Sequence, residues 1–294
     1  MTTTTTQTIL ITGASSGIGR DAALALARAG HHVIAAARRL DALEALAAEA
    51  TRFSGPAAIT PLRLDLDDAA SIDAAVAEID RLTNGRGLDA LVNNAGFATA
   101  GALAELSDRA LRAQFETNVF GLMALTRAVL PAMLARGEGR IVNVSSVSGR
   151  VPAPVLGAYH ASKYALEALS DALRMELAPF GIRVVIVEPG TIRTEFAARA
   201  MSEATGARSL ASRYAAVYAR ASSIEQRFDR VAGGTGPVVR AIERALAARR
   251  PRARYVAPRS FMFVIALVRL LPTCWLDALM QRTFGLTRKQ LGAG

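Results

Sequence analysis

The sequence predicts a doubly wound α/β fold, a parallel sheet with helices on both faces, and three observations lead to it. Short apolar runs alternate with long helical patterns at intervals of about 25 to 50 residues, the rhythm of strand, crossover helix and parallel strand. Most of the runs are apolar throughout rather than alternating, as strands covered on both faces are. The first run leads straight into Thr12-Gly13-Ala14-Ser15-Ser16-Gly17-Ile18-Gly19 and then a helical pattern.

In order, the first strand is read at 8–12 and its helix at 18–29, stopped by Gly30. The second strand spans 32–37 and its helix 41–50. The third, 58–64, contains Pro61, which cannot donate to a central ladder, so this strand belongs at an edge. That position suits the Rossmann strand order 3-2-1-4-5-6-7. A helix at 68–82, a strand at 88–93 and one long helix over 108–136, stopped by Gly137, come next. The fifth strand is 140–145, its helix 159–180 ends at Gly181, and the sixth strand is 183–188. The alternation then gives way to residues 191–230, read as a substrate lid, before a helix at 236–248. The chain thus divides into a loose N-terminal tail (1–7), one dinucleotide-binding and catalytic domain (8–257) and a helical C-terminal extension (258–294).

Composition narrows the function. With 51% hydrophobic and 20% charged residues over 294, the chain is neither disordered nor of low complexity. A single cysteine, Cys274, excludes an internal disulfide framework, and no Cys/His cluster suggests a metal site, so a reducing cytoplasm is expected. The most membrane-like stretch, 261–271, contains Arg269 and stops at Pro272, short of the roughly 20 apolar residues of a spanning helix, so no transmembrane segment is predicted. The net charge of +10 lies almost entirely beyond residue 235, where eleven basic residues face two acids. That patch suits a solvated face, a polyanion or an anionic membrane. It lacks aromatic interleaving and nucleic-acid motifs, so no nucleic acid is expected.

The glycine turn carries the first chemical signal. Glycines allow close approach of a pyrophosphate, and the helix N-terminus offers free N–H groups and a positive dipole end; Gly13, Ser15, Ser16, Gly17, Ile18 and Gly19 are the candidate contacts. The second strand ends in Arg38-Arg39 with no acid at its tip. Two guanidiniums there suit the 2′-phosphate of NADP rather than the ribose hydroxyl of NAD, unless they are simply solvated loop charges.

Tyr159 and Lys163 are four apart at a helix start and share a face, so an ammonium there can lower the tyrosine pKa and make it a proton donor. With five tyrosines and two lysines in the chain, such a pair is expected by chance only about 0.03 times.

These motifs resemble the short-chain dehydrogenases/reductases over residues 8–194: the turn at 12–19, Asp65, Asn93-Asn94-Ala95-Gly96, Asn118, Ser146, Tyr159-x-x-x-Lys163 and Pro189-Gly190. The resemblance implies that Tyr159 moves the proton, Lys163 binds the nicotinamide ribose and depresses the tyrosine pKa, Ser146 orients the substrate oxygen, and Asn118 holds a relay water. It assigns Asp65 and Leu66 to the adenine side, Asn93, Ala95 and Gly96 to the cofactor wall, and Pro189, Gly190, Ile192 and Thr194 to the nicotinamide amide. The implied activity is an NADP(H)-dependent interconversion of a ketone or aldehyde with its alcohol. The extension resembles the tails of hydroxysteroid- and retinol-type members, which implies a bulky lipophilic substrate or a peripheral membrane contact. The alanine stripe Ala158, Ala161, Ala165, Ala168 and Ala172 suits a helix-paired homodimer or homotetramer, or packing within the subunit. The alternative from another class is a non-catalytic dinucleotide-fold protein that uses its basic end to hold a polyanion, a membrane or a partner.

Overall fold

The computed structural model describes residues 6–52, 58–193, 212–220 and 232–291. Seven strands, β1 (Thr8–Thr12), β2 (His32–Ala37), β3 (Ala58–Arg63), β4 (Ala90–Asn93), β5 (Gly139–Val144), β6 (Ile182–Pro189) and β7 (Arg254–Ala257), form one parallel sheet in the order β3-β2-β1-β4-β5-β6-β7. Pro61 pairs opposite Ala35 on edge strand β3, where its missing N–H costs the sheet nothing on the outer side.

Alternation along each strand sends side chains to opposite faces. Ile9, Ile11, Val33 and Val142 pack under α1 (Gly17–Arg28), α2 (Leu40–Ala50) and a later helix, α8 (Gly236–Ala247). Leu10, Ile34, Leu91 and Ile141 pack under α3 (Ala69–Leu82), α5 (Leu122–Arg136) and α6 (Gly157–Leu177). Helix α3 starts on Asp68, whose carboxylate accepts from the Ala70 N–H 3.0 Å away; Asp65 instead accepts from the Asp67 N–H at 3.2 Å.

The expected single helix over 108–136 needs a correction. It runs as α4 (Asp108–Phe115), a π-helical turn Glu116–Gly121, and α5. The continuous span Asp108–Arg136 is long and apolar enough to cross a membrane, yet Leu125, Val129 and Met133 are buried against the sheet, as in a core helix. Of the lid, 191–193 and 212–220 lie among the described residues, the latter with α7 (Ala215–Tyr218). The Tyr214 and Tyr218 rings meet at a tilt with centroids 6.5 Å apart, and the Tyr218 hydroxyl accepts from the Ala102 N–H and donates to Glu105. Phe196, Met201 and Phe228, apolar residues that the 191–230 segment offers to a lipophilic substrate or to packing, lie outside the described residues. The extension forms α9 (Phe261–Leu270), α10 (Thr273–Phe284) and α11 (Arg288–Leu291), the last packed against α7.

Candidate functional site

The carboxyl ends of β1, β4, β5 and β6 converge, the place where open α/β sheets hold ligands. At β1, Gly13 has φ +67°, and a Cβ there would stand 2.8 Å from the Ala95 Cα, so the turn closes onto the 94–96 segment only as glycine. Thr12 Oγ1 accepts from the N–H groups of Asn94 and Ala95, each at 3.0 Å, and Asn94 Nδ2 donates to the Thr12 carbonyl at 3.0 Å. Helix α1 then starts with no side-chain cap from Ser16, leaving first-turn N–H groups for an anion. Arg39, exposed beyond β2, reaches Ser15 Oγ at 3.4 Å, so one of the two predicted guanidiniums stands over the glycine turn.

The chemical end is buried. Ser146, Tyr159 and Lys163 are 7%, 9% and 5% exposed. Lys163 Nζ donates to the Val144 carbonyl at 2.9 Å and lies 5.9 Å from the Tyr159 ring centroid. Ser146 Oγ accepts from the Ser148 N–H at 3.0 Å and donates toward the Pro189 carbonyl at 3.5 Å. Asn118 sits in the π turn, a distortion frequent at functional sites. Its Oδ1 accepts from the Phe97 N–H at 3.1 Å, and its Nδ2 donates to the Phe97 carbonyl at 3.0 Å and to Ser162 Oγ at 3.1 Å. Gly96 lies between Asn118 and Lys163: a Cβ there would stand 3.0 Å from Asn118 Oδ1 and 3.8 Å from Lys163 Nζ. The cofactor-side segment therefore borders the tyrosine–lysine face.

Burial pushes the Tyr159 phenol up to about 12, opposed by its hydrogen bond with Ser146. Burial also brings Lys163 down to about 8, opposed by the charge of Glu167. Desolvation thus outweighs the Ser146 hydrogen bond, and the fold by itself keeps the proton on the phenol.

Other assignments divide. Gly17 opens α1 at φ +56°, Ile18 packs partly against the core, and Gly19 backs onto the Gly13 carbonyl. Asn93 Nδ2 donates to Thr126 Oγ1 at 3.0 Å and Asn143 Oδ1 at 2.9 Å, and the Leu66 side chain joins the core, so both side chains are turned into the interior. Ile192 bridges to Gly233, fixing the start of the lid, and Thr194 lies outside the described residues. Gly190 donates to the Ala257 carbonyl at 2.9 Å and is pressed against the Phe261 ring, where any Cβ would collide.

Two features escape sequence reading. Val155, in the loop before α6, is left-handed at φ +68°, a strained state for a β-branched residue. Beneath the site lies a charge cluster. Glu188, 1% exposed at the end of β6, meets Arg150 Nη1 at 2.6 Å and Arg254 Nε at 3.1 Å; Arg254 also meets Glu167 at 3.2 Å and pairs with Asp171. An acid ending an otherwise apolar strand, and another four residues after Lys163, were the signals available. Burial first, then Glu188, push Glu167 up to about 7, against the opposing influence of Ser145, Arg254 and Arg150. A carboxyl raised on folding holds its proton longer than in the unfolded chain, so its folding penalty grows as pH rises from about 4.5 to 7. Glu167→Gln is expected to flatten the fall in unfolding free energy across that window; denaturant titrations at several pH values check it, and an unchanged slope refutes it.

Comparison with known proteins places the chain. The family model for short chain dehydrogenase matches residues 7–205. The uncharacterized oxidoreductase YbbO of Escherichia coli strain K12 is 40% identical over 275 residues, 94% of each chain. An NADPH-dependent 3-dehydrocapnine reductase of Ornithobacterium rhinotracheale is 32% identical over 280 residues, covering 93% of this chain and 95% of its own. A short-chain dehydrogenase of Sphingobium yanoikuyae, solved in complex with NADPH, is 28% identical with a TM-score of 0.67, covering 95% of this chain and 94% of its own. With a glycine turn at one end of the cleft and Ser146, Tyr159 and Lys163 at the other, the chain belongs to the short-chain dehydrogenase family of oxidoreductases.

Proposed function

We propose that this protein is an NADP(H)-dependent carbonyl reductase or alcohol dehydrogenase acting on a lipophilic substrate. The observation that carries the reading is the buried convergence of Ser146, Tyr159 and Lys163 beside the 94–96 wall. The dinucleotide fits the residues present: the uncapped start of α1 and the Gly13 turn would hold its pyrophosphate, and Arg39 with Arg38 its 2′-phosphate. When bound, NADPH supplies the hydride. The Ser146 hydroxyl donates to the substrate oxygen and fixes its position. Tyr159 gives its phenolic proton to that oxygen as negative charge develops there, and takes it back in the alcohol-to-carbonyl direction. Lys163, still largely an ammonium at neutral pH, stabilises the phenolate left behind and binds the nicotinamide ribose. A non-catalytic binding protein has no use for these three groups held together away from water, so that reading is not favoured.

The relative that reduces 3-dehydrocapnine with NADPH supports the choice of cofactor and of a carbonyl substrate. Self-association is part of the reading. Leu111 and Phe120, both exposed, line an open groove with Phe115 along α4 and the π turn, and Tyr164 and Met175 are exposed on α6, so a second copy would pair these helices. The reading is tested by calorimetric titration with NADPH and NADH, followed by a panel of lipophilic ketones and aldehydes read through NADPH absorbance. Selective NADPH binding with turnover is the expected result, and failure of both nucleotides to bind overturns it. Arg38→Ala with Arg39→Ala is expected to weaken NADPH by about 10- to 100-fold, the worth of one or two charge-assisted hydrogen bonds, with NADH little changed. Equal loss of both nucleotides refutes the 2′-phosphate assignment.

A further inference from the structure

We infer that the C-terminal helix pair α9–α10 is a docking face for an anionic phospholipid bilayer. Its apolar residues mostly point away from the protein. Phe263 is 81%, Leu270 83% and Trp275 67% exposed, with Leu267 and Leu279 exposed beside them; Ile265 in α9 and Phe284 in α10 are the buried anchors. Phe263, Leu267 and Leu270 recur at steps of four and three, and Trp275 and Leu279 at four, so each helix shows one outward stripe.

Charge selects the occupant. Residues 258–294 carry Arg259, Arg269, Arg282, Arg288 and Lys289 against Asp277 alone, and these basic residues are exposed around the stripes. A second copy meeting this face across a twofold axis would bring the same cationic rim against itself, an arrangement that repels. Anionic headgroups over acyl chains answer both features at once: basic residues are drawn to the negative leaflet, and Phe, Leu and Trp enter the interfacial zone. Helix α9 has ten residues, about 15 Å of rise, and Pro272 follows close behind, so it lies along the surface rather than crossing a core of about 30 Å. The face also begins at the candidate site, because Phe261 opens α9 and rests on Gly190 at the end of β6. The docking face itself is independent of the proposed chemistry.

The test uses the full-length protein with phosphatidylcholine vesicles, with and without phosphatidylglycerol, in a flotation assay. Trp275 is the chain's one tryptophan and sits on the face, so its emission reports insertion. Binding to the anionic vesicles with a blue shift, weakened by salt and absent on pure phosphatidylcholine, is expected. Phe263→Ser with Leu270→Ser should cut binding at least about tenfold, given the apolar area each side chain withdraws from water. Arg269→Gln with Arg282→Gln should cut it about tenfold or more while leaving the apolar stripe in place. Both variants alter exposed side chains and should melt as the parent does. Unmoved Trp275 emission with anionic vesicles overturns the inference, as does full retention of binding by the Phe263/Leu270 variant. A dimer in ultracentrifugation that this variant dissociates assigns the face to a second copy and overturns it equally.

Discussion

Tyr159→Phe is expected to lower turnover by about 10²- to 10⁴-fold, the range a positioned proton donor contributes, while NADPH binds as before. The substitution removes one oxygen from a ring that is already packed, so Ala98 against the ring and the bed formed by α6 stay as they are. Dinucleotide affinity should hold because the glycine turn and Arg39 lie at the other end of the cleft. Steady-state rates at saturating nucleotide, paired with calorimetry, read the two quantities separately. A variant with most of its activity intact would mean that the proton comes from elsewhere, and Tyr159 would then be a packing residue.

The second large effect is on stability. Arg254→Met is expected to cost about 3 kcal/mol at neutral pH, near the low end of the 3 to 5 measured for broken buried pairs because Arg254 is itself 28% exposed. The loss falls on Glu188 and Glu167, which the methionine leaves with Arg150 as the one remaining counter-ion for Glu188 among the described residues. A carboxylate without a counter-ion takes up a proton more readily, so the deficit should be largest near pH 8 and shrink toward pH 5 as Glu167 neutralises. Thermal melts at the two pH values check this; an equal shift at both would show that lost packing of the arginine stem, not charge, sets the cost.

Six of the seven strands could be read closely, because a buried parallel strand declares itself as an apolar run and Pro61 marked the edge, whereas β7, short, half-buried and opened by Arg254, was not located. Glycines likewise announced helix ends at Gly137 and Gly181, both left-handed in the structure. The site was legible where chemistry fixes spacing, as in Tyr159 and Lys163. It was illegible where the effect depends on what surrounds a side chain. The π turn that carries Asn118 changes the hydrogen-bond step without breaking the apolar pattern, so periodicity passes over it. The raised pKa of Tyr159 is a desolvation effect, which no spacing encodes. The Arg150–Glu188–Arg254–Glu167 cluster joins residues up to 104 positions apart, so its pairing comes only from the fold.

The scarcity of lysine, together with the burial of Lys163, gives the folded protein an unusual labelling profile. Its two side-chain amines are Lys163, 5% exposed and held against the Val144 carbonyl, and Lys289, exposed on α11. Amine-directed reagents applied to the native fold therefore find a single accessible lysine, and it lies in the extension. A fluorophore placed there reports from the end of the chain that carries the outward apolar stripes. Immobilisation through the same amine turns that end toward the support.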